Sequence, residues 1–383
     1  MVTALEAAVR LHGYLSRQHW DGQTLGGQDQ GVKWHIRIGR FVDSYCPWWR
    51  KPDRYVFQQG QGYWVLANWL LADLTGNARY EEVALAATQA TAALQLDDGS
   101  WPYPLPERKH LKATIEGNWG ALVLLRGYER TGNQRWAEQA LRWHRFLMER
   151  IGFLDHHGGR AVNYFDQPRG KVPNNSVSLL WFLGEYHRVL GSTRSDGGNE
   201  FLEPVADLLT FLESVQAPSG EFPYELPSPH DQHFRPHYLC YQYNAFACIR
   251  LIWFGEYAKE RRALKMAERA AGFLAGGMLE SGASKADCFR VKPEVVHYAD
   301  VLALALYEAH RQGWGNYADL VRRGFAWVLR QQGQDGGMVF SRGDYGCLTD
   351  RNSYPRYLAM TLYHLLLWDR HEQHAPVLST VGV

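Results

Sequence analysis

The side chains best suited to proton transfer stand at or just before the predicted starts of buried helices. Glu116, Tyr243 and His297 each lie at such a start, whereas Tyr164 and His237 lie in loops that lead to one. Carboxyl, phenol and imidazole groups are among the side chains that act as general acids and bases. We therefore take Tyr164, Tyr243 and His297 as candidate bases and Glu116 and His237 as candidate acids. Glu116 has a structural alternative, because a carboxylate in the first turn also opposes the helix dipole.

A wider set of side chains near the same helix starts and loops could hold a substrate. Aromatic rings offer flat apolar surfaces for sugar rings, amides donate and accept hydrogen bonds, and guanidinium groups bind carboxylates. The candidate substrate-binding residues are Trp34, Trp48, Gln61, Trp101, Tyr103, Asn118, Trp119, His156, Asn163, Asn175, Tyr241, Asn244, Tyr298, Arg351, Tyr354 and Arg356. For the asparagines, helix capping is the favoured interpretation, because Asn is a preferred N-cap residue.

Three histidines lie close together in one loop and raise the question of a metal. His230, His233 and His237 fall within eight residues, but proline bounds the loop, which offers no fixed helical face. The five cysteines are scattered and form no Cys-x-x-Cys pair, which argues against a disulfide framework or a thiolate zinc site. We therefore expect these histidines to line a polar pocket, and we expect neither a metal nor a cofactor.

The overall composition excludes some classes of partner. The 383-residue chain has 41 basic and 40 acidic residues and a net charge of +1, so nothing indicates nucleic acid or an anionic membrane. The sequence has neither a secretory leader pattern nor a run of about 18 apolar residues, and we expect a cytoplasmic protein without a membrane span. No segment resembles a linker, which predicts a single domain over residues 1–383. The 15 Trp, 21 Tyr and 16 Phe residues exceed what a helical core needs.

An internal repeat predicts how these residues are positioned. The pattern Gln-x-x-Asp-Gly begins at Gln18, Gln95 and Gln332, and Gln216 begins a version with Ser in place of Asp. Each copy follows an amphipathic helix, and the next helix is apolar on nearly every side, as in residues 179–183. Because repeats at a fixed period indicate stacked supersecondary units, the chain should be a series of helix pairs.

The number of helix pairs predicts a closed ring. Six apolar helices follow residue 60 with five amphipathic partners, and the N-terminal helix over residues 1–18 supplies the sixth partner. We therefore predict an all-α fold, an (α/α)6 toroid of about twelve helices that is closed by pairing of the N- and C-terminal helices. An open solenoid is the alternative, but it needs polar capping repeats that the sequence lacks.

The loop lengths predict which end of the ring carries the site. Connectors from inner to outer helices are short, whereas those from outer to inner helices are long and rich in Trp, Tyr, His and Arg, above all the aromatic loop over residues 20–58. All long loops should lie at the end where the inner helices begin. Because helix N-termini carry unpaired N–H groups and partial positive charge, this end should favour an anionic ligand such as a uronate, a sugar phosphate or a diphosphate.

Two sequence motifs resemble those of toroidal enzymes. The run Gln95-x-x-Asp98-Gly99-Ser100-Trp101 resembles the Gln-Trp motif of squalene and terpene cyclases, whose toroid is shared by prenyltransferase β subunits. The run 57–62, Phe-Gln-Gln-Gly-Gln-Gly, with Thr-Gly-Asn at 75–77 and Tyr80, is similar to the Gln-Gly-Gln helix start of glucuronyl 5-epimerases, and the layout is similar to that of toroidal polysaccharide lyases. The resemblance implies the toroid and an enzyme of one of these classes.

Departures from the cyclase and prenyltransferase patterns favour the saccharide class. The Asp-x-Asp-Asp acid of class II terpene cyclases is missing, and Asp287-Cys288 lacks the Asp-x-Cys spacing of the prenyltransferase zinc site. Our leading hypothesis is an enzyme that acts on an acidic, uronate-containing saccharide by removing the proton α to the carboxylate, as an epimerase or a lyase. The alternatives are an isoprenoid cyclase or transferase, with cation–π contacts to its intermediates, and a glycan-binding toroid without activity. Trp101 and Tyr103, just past the turn, are expected to touch the ligand.

Overall fold

The computed structural model describes residues 2–32, 34–50, 53–167, 170–193, 197–227 and 235–374, and α-helices dominate this part of the chain. The helices are α1 (Ala4–Gln18), α2 (Gly39–Tyr45), α3 (Gln58–Thr75), α4 (Ala78–Ala93), α5 (Thr114–Thr131), α6 (Gln134–Phe146), α7 (Pro173–Leu190), α8 (Val205–Val215), α9 (Cys240–Ala258), α10 (Arg261–Ala275), α11 (Val296–Arg311), α12 (Ala318–Leu329) and α13 (Pro355–His374). Two small antiparallel sheets lie in the long loops, formed by β1 (Phe153–His156) with β2 (Gly159–Val162), and by β3 (Glu294–Val295), β4 (Ser341–Asp344) and β5 (Leu348–Asp350).

Six helices form the inner ring of a toroid. Helices α3, α5, α7, α9, α11 and α13 each pack against the next, and α13 packs against α3, so the ring is closed. Their apolar character on all sides is the reason for this position: in α11, every residue from Val296 to Leu306 is buried. The predicted (α/α)6 toroid is therefore confirmed.

The other six toroid helices form the outer ring, each packed mainly on one inner helix, and α4 and α10 also contact a second one. Their amphipathic pattern explains this: α6 buries Trp136, Ala140 and Trp143 on one face and leaves charged residues outside. The pair α1 and α13 joins the two ends of the chain, as predicted, and the Asp369 carboxylate accepts a hydrogen bond from the Leu5 N–H at 3.1 Å. The C-terminal helix thus stabilises the start of the chain.

Three of the repeated glutamine turns attach an outer helix to the next outer helix. The Gln95 side-chain amide donates to the carbonyl of Gly99 in its own turn at 2.9 Å and to the carbonyl of Gln139 on α6 at 2.8 Å. Gln216 makes the same two bonds, to Gly220 and to α10, and Gln332 makes them to its own turn and to α1. The motif is therefore a structural clamp, and its repetition follows from the repetition of the helix pairs.

The long loops contain more regular structure than the sequence predicted. The aromatic loop 20–58 includes the short helix α2, and the loop 152–173 begins with the β1–β2 hairpin. A π-helical turn over Leu147–Ile151 follows α6 directly and ends the helix. Among the described residues, no helix combines the length and the apolar character that a membrane crossing requires.

Candidate functional site at the N-terminal ends of the inner helices

Arg356 lies in the first turn of α13 near the centre of the loop face and anchors the candidate site. Its guanidinium group forms an ion pair with Asp29 from the aromatic loop, with Nε to Oδ2 and Nη2 to Oδ1 both at 3.0 Å. It also donates to the Tyr357 hydroxyl at 2.6 Å and lies over the Phe57 ring, 4.1 Å from the centroid. Burial lowers the pKa of Arg356, but Asp29 together with Tyr357, Tyr103 and Glu116 outweighs burial and raises it, so the group stays cationic.

Glu116 in the first turn of α5 is a buried carboxyl group close to this cation. Its side chain is 1% exposed and accepts a hydrogen bond from the backbone N–H of Gln58, at the start of α3, at 2.6 Å. Burial raises the pKa of Glu116 from 4.5 to about 7, although Arg356 and the Gln58 N–H act in the opposite direction. Glu116 therefore exists in both protonation states near neutral pH, which is the property of an efficient acid or base.

His297 in the first turn of α11 reaches the same region. Its ring stacks on Tyr357 with centroids 4.2 Å apart, and Nδ1 is buried without a hydrogen-bond partner among the described residues. Burial lowers the pKa of His297 well below its ordinary range, and the nearby Arg356 adds to this. His297 is therefore neutral at pH 7 and has a free ring nitrogen to accept a proton, while burial and Arg356 disfavour the resulting imidazolium.

Tyrosines line the space around these three groups. Tyr243 is half-buried and packs against Tyr224, with ring centroids 4.8 Å apart, and the half-buried Tyr164 packs against Phe165 at 4.7 Å. Burial raises the pKa of both Tyr164 and Tyr243 above 10, so their phenols keep their protons at neutral pH. This favours hydrogen-bond donation by Tyr164 and Tyr243 over the base role that the sequence suggested.

Tyr103 and Tyr298 complete this tyrosine-rich lining. Tyr103 belongs to a small apolar cluster with Phe57 and Phe165, and burial raises its pKa to about 12. Tyr298 follows His297 on α11, with ring centroids 4.6 Å apart, and burial raises its pKa well above its ordinary value. Both side chains are less than a tenth exposed, so they support the inner surface more than they present area to solvent.

The candidate amides mostly brace loops against helices. Gln61 exchanges two hydrogen bonds with the backbone of Leu25, and Asn244 holds the backbone of Phe222 with two bonds at 2.7 and 3.0 Å. The Asn163 side chain donates to the backbone carbonyl of Ile151, and the Asn175 side chain donates to the backbone carbonyl of Asn163. The side-chain oxygen of Asn118 accepts a hydrogen bond from the Trp143 indole. No side chain caps the start of α5, α7 or α9, so the capping interpretation is wrong for Asn118, Asn175 and Asn244. Bracing of loops and helices accounts for the hydrogen bonds of these five side chains.

Several candidate aromatic residues lie in the protein interior. Trp101 is 1% exposed, donates to the Thr91 carbonyl at 3.0 Å and packs against Trp143, so it contacts protein on every side. Tyr354, also 1% exposed, donates to the Asp350 carboxylate at 3.1 Å. Tyr241 stacks on Phe273, and Trp119 stacks on Tyr63 below the site. This position does not fit the expectation that Trp101 touches a ligand. A large ring that follows a turn can point into the core as well as towards the loop face, and the Trp101 ring points into the core.

Four other candidates lie away from the centre. Trp48 is 75% exposed, and Trp34 is 41% exposed with its indole donating to Asp43. Arg351 is exposed and lies over the Tyr45 ring, 5.2 Å from the centroid. His156, the last residue of β1, packs against Phe211 of α8. They are not part of the buried cluster around Arg356.

His237 also lies outside the buried cluster, and its neighbours were not predicted. The imidazole Nδ1 is 2.9 Å from the Glu221 carboxylate, which raises the pKa of His237, and the Cys288 thiol donates to the same carboxylate at 3.7 Å. His230 and His233 lie outside the described residues.

Two important residues of the central cluster were missed by sequence reasoning. Asp29 lies in the aromatic loop between two glutamines and carries no motif, so its ion pair with Arg356 depends on the path of that loop. Tyr357 directly follows Arg356, and its position in the first turn of an inner helix was an available signal. Together with Glu116, His297 and Arg356, these residues form what we call the central cluster.

One small cavity lies inside the ring and a larger cleft lies on the loop face. An enclosed cavity of about 20 Å³ lies deeper in the ring, between Trp119, Trp181 and Arg250, and has room for about one water molecule. A more open cleft of about 380 Å³ lies on the loop face beside the end of α1, with Trp20, Arg50 and Arg54 in its wall. Neither is a deep apolar chamber of the size that an isoprenoid chain requires.

Solved structures share this architecture at low sequence identity. Cellobiose 2-epimerase from Bacillus thermoamylovorans is 12% identical, with a TM-score of 0.71 over 95% of this chain and 98% of that one. A family 76 glycoside hydrolase (mannosidase) from Bacteroides thetaiotaomicron is 13% identical, with a TM-score of 0.67 over 97% and 99%, and a polysaccharide lyase is 10% identical, with a TM-score of 0.66 over 97% and 98%. No protein-family model matches the sequence, and no curated protein does. The similarity shows the fold.

Proposed function

We propose that this protein is an enzyme that acts on an acidic, uronate-containing saccharide by removing the proton α to the carboxylate, as an epimerase or a lyase. The observation that carries the proposal is the central cluster: a neutral imidazole at His297 and a carboxyl group with a pKa near 7 at Glu116 both lie close to the Arg356 cation. Proton abstraction next to a carboxylate needs a base, an acid and a cation, and these three groups provide them.

The proposed steps follow from the protonation states. Neutral His297 takes the proton from the carbon α to the carboxylate, and the electron pair moves to the carboxylate oxygen as an enolate. Arg356 and the phenols of Tyr164 and Tyr243 stabilise that negative charge, since each donates hydrogen bonds and none has to change its protonation state. Protonated Glu116 then supplies a proton, either to the opposite face of the carbon in epimerisation or to the leaving oxygen as the β bond breaks in elimination.

The solved relatives are consistent with this proposal at the level of chemistry. They include a cellobiose epimerase and a polysaccharide lyase, both built on the same toroid. A shared fold hosts many activities, so their names raise the expectation of a saccharide substrate and leave its identity to the site. An independent argument supports a uronate: the N-terminal ends of the inner helices carry partial positive charge and unpaired N–H groups, which favour binding of an anion.

Hydrolysis of a glycosidic bond is a second candidate, favoured by one specific observation. Asp29 is ion-paired with Arg356, whereas burial raises the pKa of Glu116 to about 7, so two carboxyl groups in different environments lie near one cation. Two carboxyl groups in opposite protonation states are the requirement for general acid catalysis of glycoside cleavage. Family 76, 88 and 105 glycoside hydrolases are among the solved relatives.

One assay separates these possibilities. Purified protein is incubated with a panel of uronate-containing oligosaccharides in deuterium oxide and followed by proton NMR. We expect deuterium at the carbon α to the carboxylate for an epimerase, or an unsaturated uronate product for a lyase. Glu116→Gln and His297→Gln should each reduce turnover at least about a hundredfold, because each removes a general acid or base.

The matched controls are Glu138→Gln, on the exposed face of α6, and His187→Gln, near the C-terminal end of α7, where the ring bonds the Tyr257 hydroxyl. Both should retain the wild-type rate. New reducing ends with neither an unsaturated uronate nor deuterium incorporation, abolished by Asp29→Asn, would instead establish hydrolysis. Oligosaccharide binding without any turnover would support the non-catalytic alternative, and turnover unaffected by Glu116→Gln and His297→Gln would contradict the proposed roles.

A further inference from the structure

Three side chains with metal-binding atoms meet beside the start of α9, outside the central cluster. Glu221 comes from the loop after α8, His237 lies three residues before the start of α9, and Cys288 comes from the loop after α10. One ligand atom from each lies within 4.8 Å of the other two. Glu221 is 6% exposed, and the His237 side chain is 41% exposed, so the group is anchored inside and open to solvent on one side.

We propose that Glu221, His237 and Cys288 form a zinc site that joins these two loops. The donor set is one carboxylate oxygen, one imidazole nitrogen and one thiolate sulfur. The sulfur selects against Mg²⁺ and Ca²⁺, which prefer oxygen ligands, and the mixture of nitrogen, oxygen and sulfur suits Zn²⁺. This inference is independent of the proposed function, and it revises the expectation from sequence that no metal is bound.

The spacing of the three atoms fits a tetrahedral ion with small adjustments. Zinc binds nitrogen and oxygen at about 2.0–2.2 Å and sulfur at about 2.3 Å, which places neighbouring ligand atoms roughly 3.3–3.7 Å apart. His237 Nδ1 is 2.9 Å from Glu221 Oε1, and the Cys288 sulfur is 3.7 Å from the same oxygen. A zinc ion would replace the proton that the imidazole and the carboxylate share, and the exposed side of His237 leaves the fourth position for water.

The surroundings hold the ligands in place. The Cys240 thiol, at the first residue of α9, lies close to the Cys288 sulfur and limits the positions that this sulfur can take. Neighbouring Asp287 is engaged by Arg290 through its carboxylate and by two backbone N–H groups, so it is not an available ligand. Partners that orient metal ligands are a regular feature of zinc sites.

A bound zinc would also position part of the loop face. Tyr238 follows His237 directly, and its ring packs against Tyr224 at 5.0 Å and Tyr243 at 6.3 Å. The ion would therefore fix the backbone next to the tyrosine lining and connect the loop after α8 to the loop after α10. This role is structural and needs no contact between zinc and substrate.

The test uses the full-length protein, purified without chelator and with a non-chelating reductant. We expect about one zinc per chain by elemental analysis. The apoprotein should bind Co²⁺ with a thiolate-to-cobalt charge-transfer band in the near ultraviolet, which reports a sulfur ligand. Cys288→Ser should abolish that band. Because losing even a partner of a ligand weakens metal affinity by about 10–100-fold, Cys288→Ser, His237→Ala and Glu221→Gln should each weaken zinc binding at least about a hundredfold.

Two variants control for adventitious binding. Cys347→Ser removes an exposed cysteine and His110→Ala an exposed histidine, and both should keep the zinc content and the cobalt spectrum. Circular dichroism of every variant checks that the helices are retained, so loss of metal is not loss of fold. No zinc and no charge-transfer band in the wild-type protein would overturn the proposal, as would a band that persists in Cys288→Ser or disappears in Cys347→Ser.

Discussion

At the residue scale, the chemistry of the candidate site depends on one buried carboxyl group. Glu116 is 1% exposed and close to Arg356, but the Arg356 charge is already paired with Asp29. One guanidinium group cannot fully offset the cost of burying two negatively charged carboxylates. Burial therefore raises the pKa of Glu116 to about 7. This is the physical reason why Glu116 can exchange a proton near neutral pH.

The raised pKa of Glu116 predicts a specific pH dependence of stability. In the unfolded chain the group ionises near 4.5, whereas in the folded protein it keeps its proton up to about 7. The folded state therefore binds the extra proton, so the stability that Glu116 contributes is complete below pH 4.5 and is lost as the pH rises through 7. The loss is on the order of 3 kcal/mol, because one pKa unit corresponds to about 1.36 kcal/mol.

Glu116→Gln should remove this contribution, since the amide does not ionise. We expect the free energy of unfolding in urea to fall less between pH 5 and pH 8 for Glu116→Gln than for the wild type, with the variant relatively more stable at pH 8. Glu138→Gln on the surface of α6 should follow the wild-type curve. Parallel curves for the wild type and Glu116→Gln would show that the carboxyl group is already ionised at pH 5.

At the element scale, the glutamine turns depend on close backbone approach as well as on hydrogen bonds. Gly336 has φ +90°, and a Cβ there would lie 2.5 Å from the Arg10 carbonyl oxygen of α1. Gly99 has φ +89° and faces the Arg142 carbonyl of α6 in the same way, at 2.7 Å. Gly22 has a similar φ of +94° but nothing within 4 Å. The turns at Gly99 and Gly336 thus combine a left-handed residue with a contact that only glycine permits, whereas the turn at Gly22 has the left-handed residue alone.

The different surroundings of Gly22 and Gly336 predict different losses of stability when each is replaced by alanine. Gly22→Ala should destabilise the protein by about 1–2 kcal/mol, the strain of a left-handed residue with a side chain. Gly336→Ala introduces the same strain and also a steric conflict with α1. Because overpacking costs about 1–3 kcal/mol, this variant should lose that much more stability than Gly22→Ala. Chemical denaturation of both variants measures the difference, and equal losses would mean that the turn shifts away from α1 freely.

At the scale of the whole molecule, closure of the ring connects the two ends of the chain. Helix α1 is the outer partner of α13, and the Arg10 and Arg17 side chains donate to the carbonyls of Gly333 and Asp335 in the last glutamine turn. Residues more than 300 positions apart therefore support the same part of the toroid. The ring should unfold as one cooperative unit, because loss of α1 uncovers apolar surface on α13.

Substitutions in α1 test the contribution of this closure. Leu11 is 0% exposed, and Leu11→Ala should lower the free energy of unfolding by about 2–5 kcal/mol, as expected for a large-to-small change in a core. Val9→Ala, at a position that is 38% exposed, should change it by less than about 0.5 kcal/mol. Thermal unfolding followed by circular dichroism measures both. A small effect of Leu11→Ala would mean that α1 frays from the ring before global unfolding.

The repeat made the fold predictable, whereas the site was predictable only in part. Glu116, His297 and Arg356 were identified because inner-helix starts must converge at one end of a ring. Asp29 was missed, since the path of the aromatic loop follows from contacts with α13 and not from any periodicity. Trp101 was assigned to the ligand because it follows a turn, but the direction of a side chain after a turn depends on the packing around it.

The sequence by itself determined the helix pairs, the glutamine turns and the end of the ring at which the long loops lie, because hydrophobic period and turn chemistry act over a few residues. Only the tertiary structure decided which charged and titratable groups meet. The pKa of Glu116, the pairing of Asp29 with Arg356 and the approach of Cys288 to Glu221 and His237 all depend on residues that are distant in sequence. Burial and electrostatic contact are properties of the folded chain, and no local pattern encodes them.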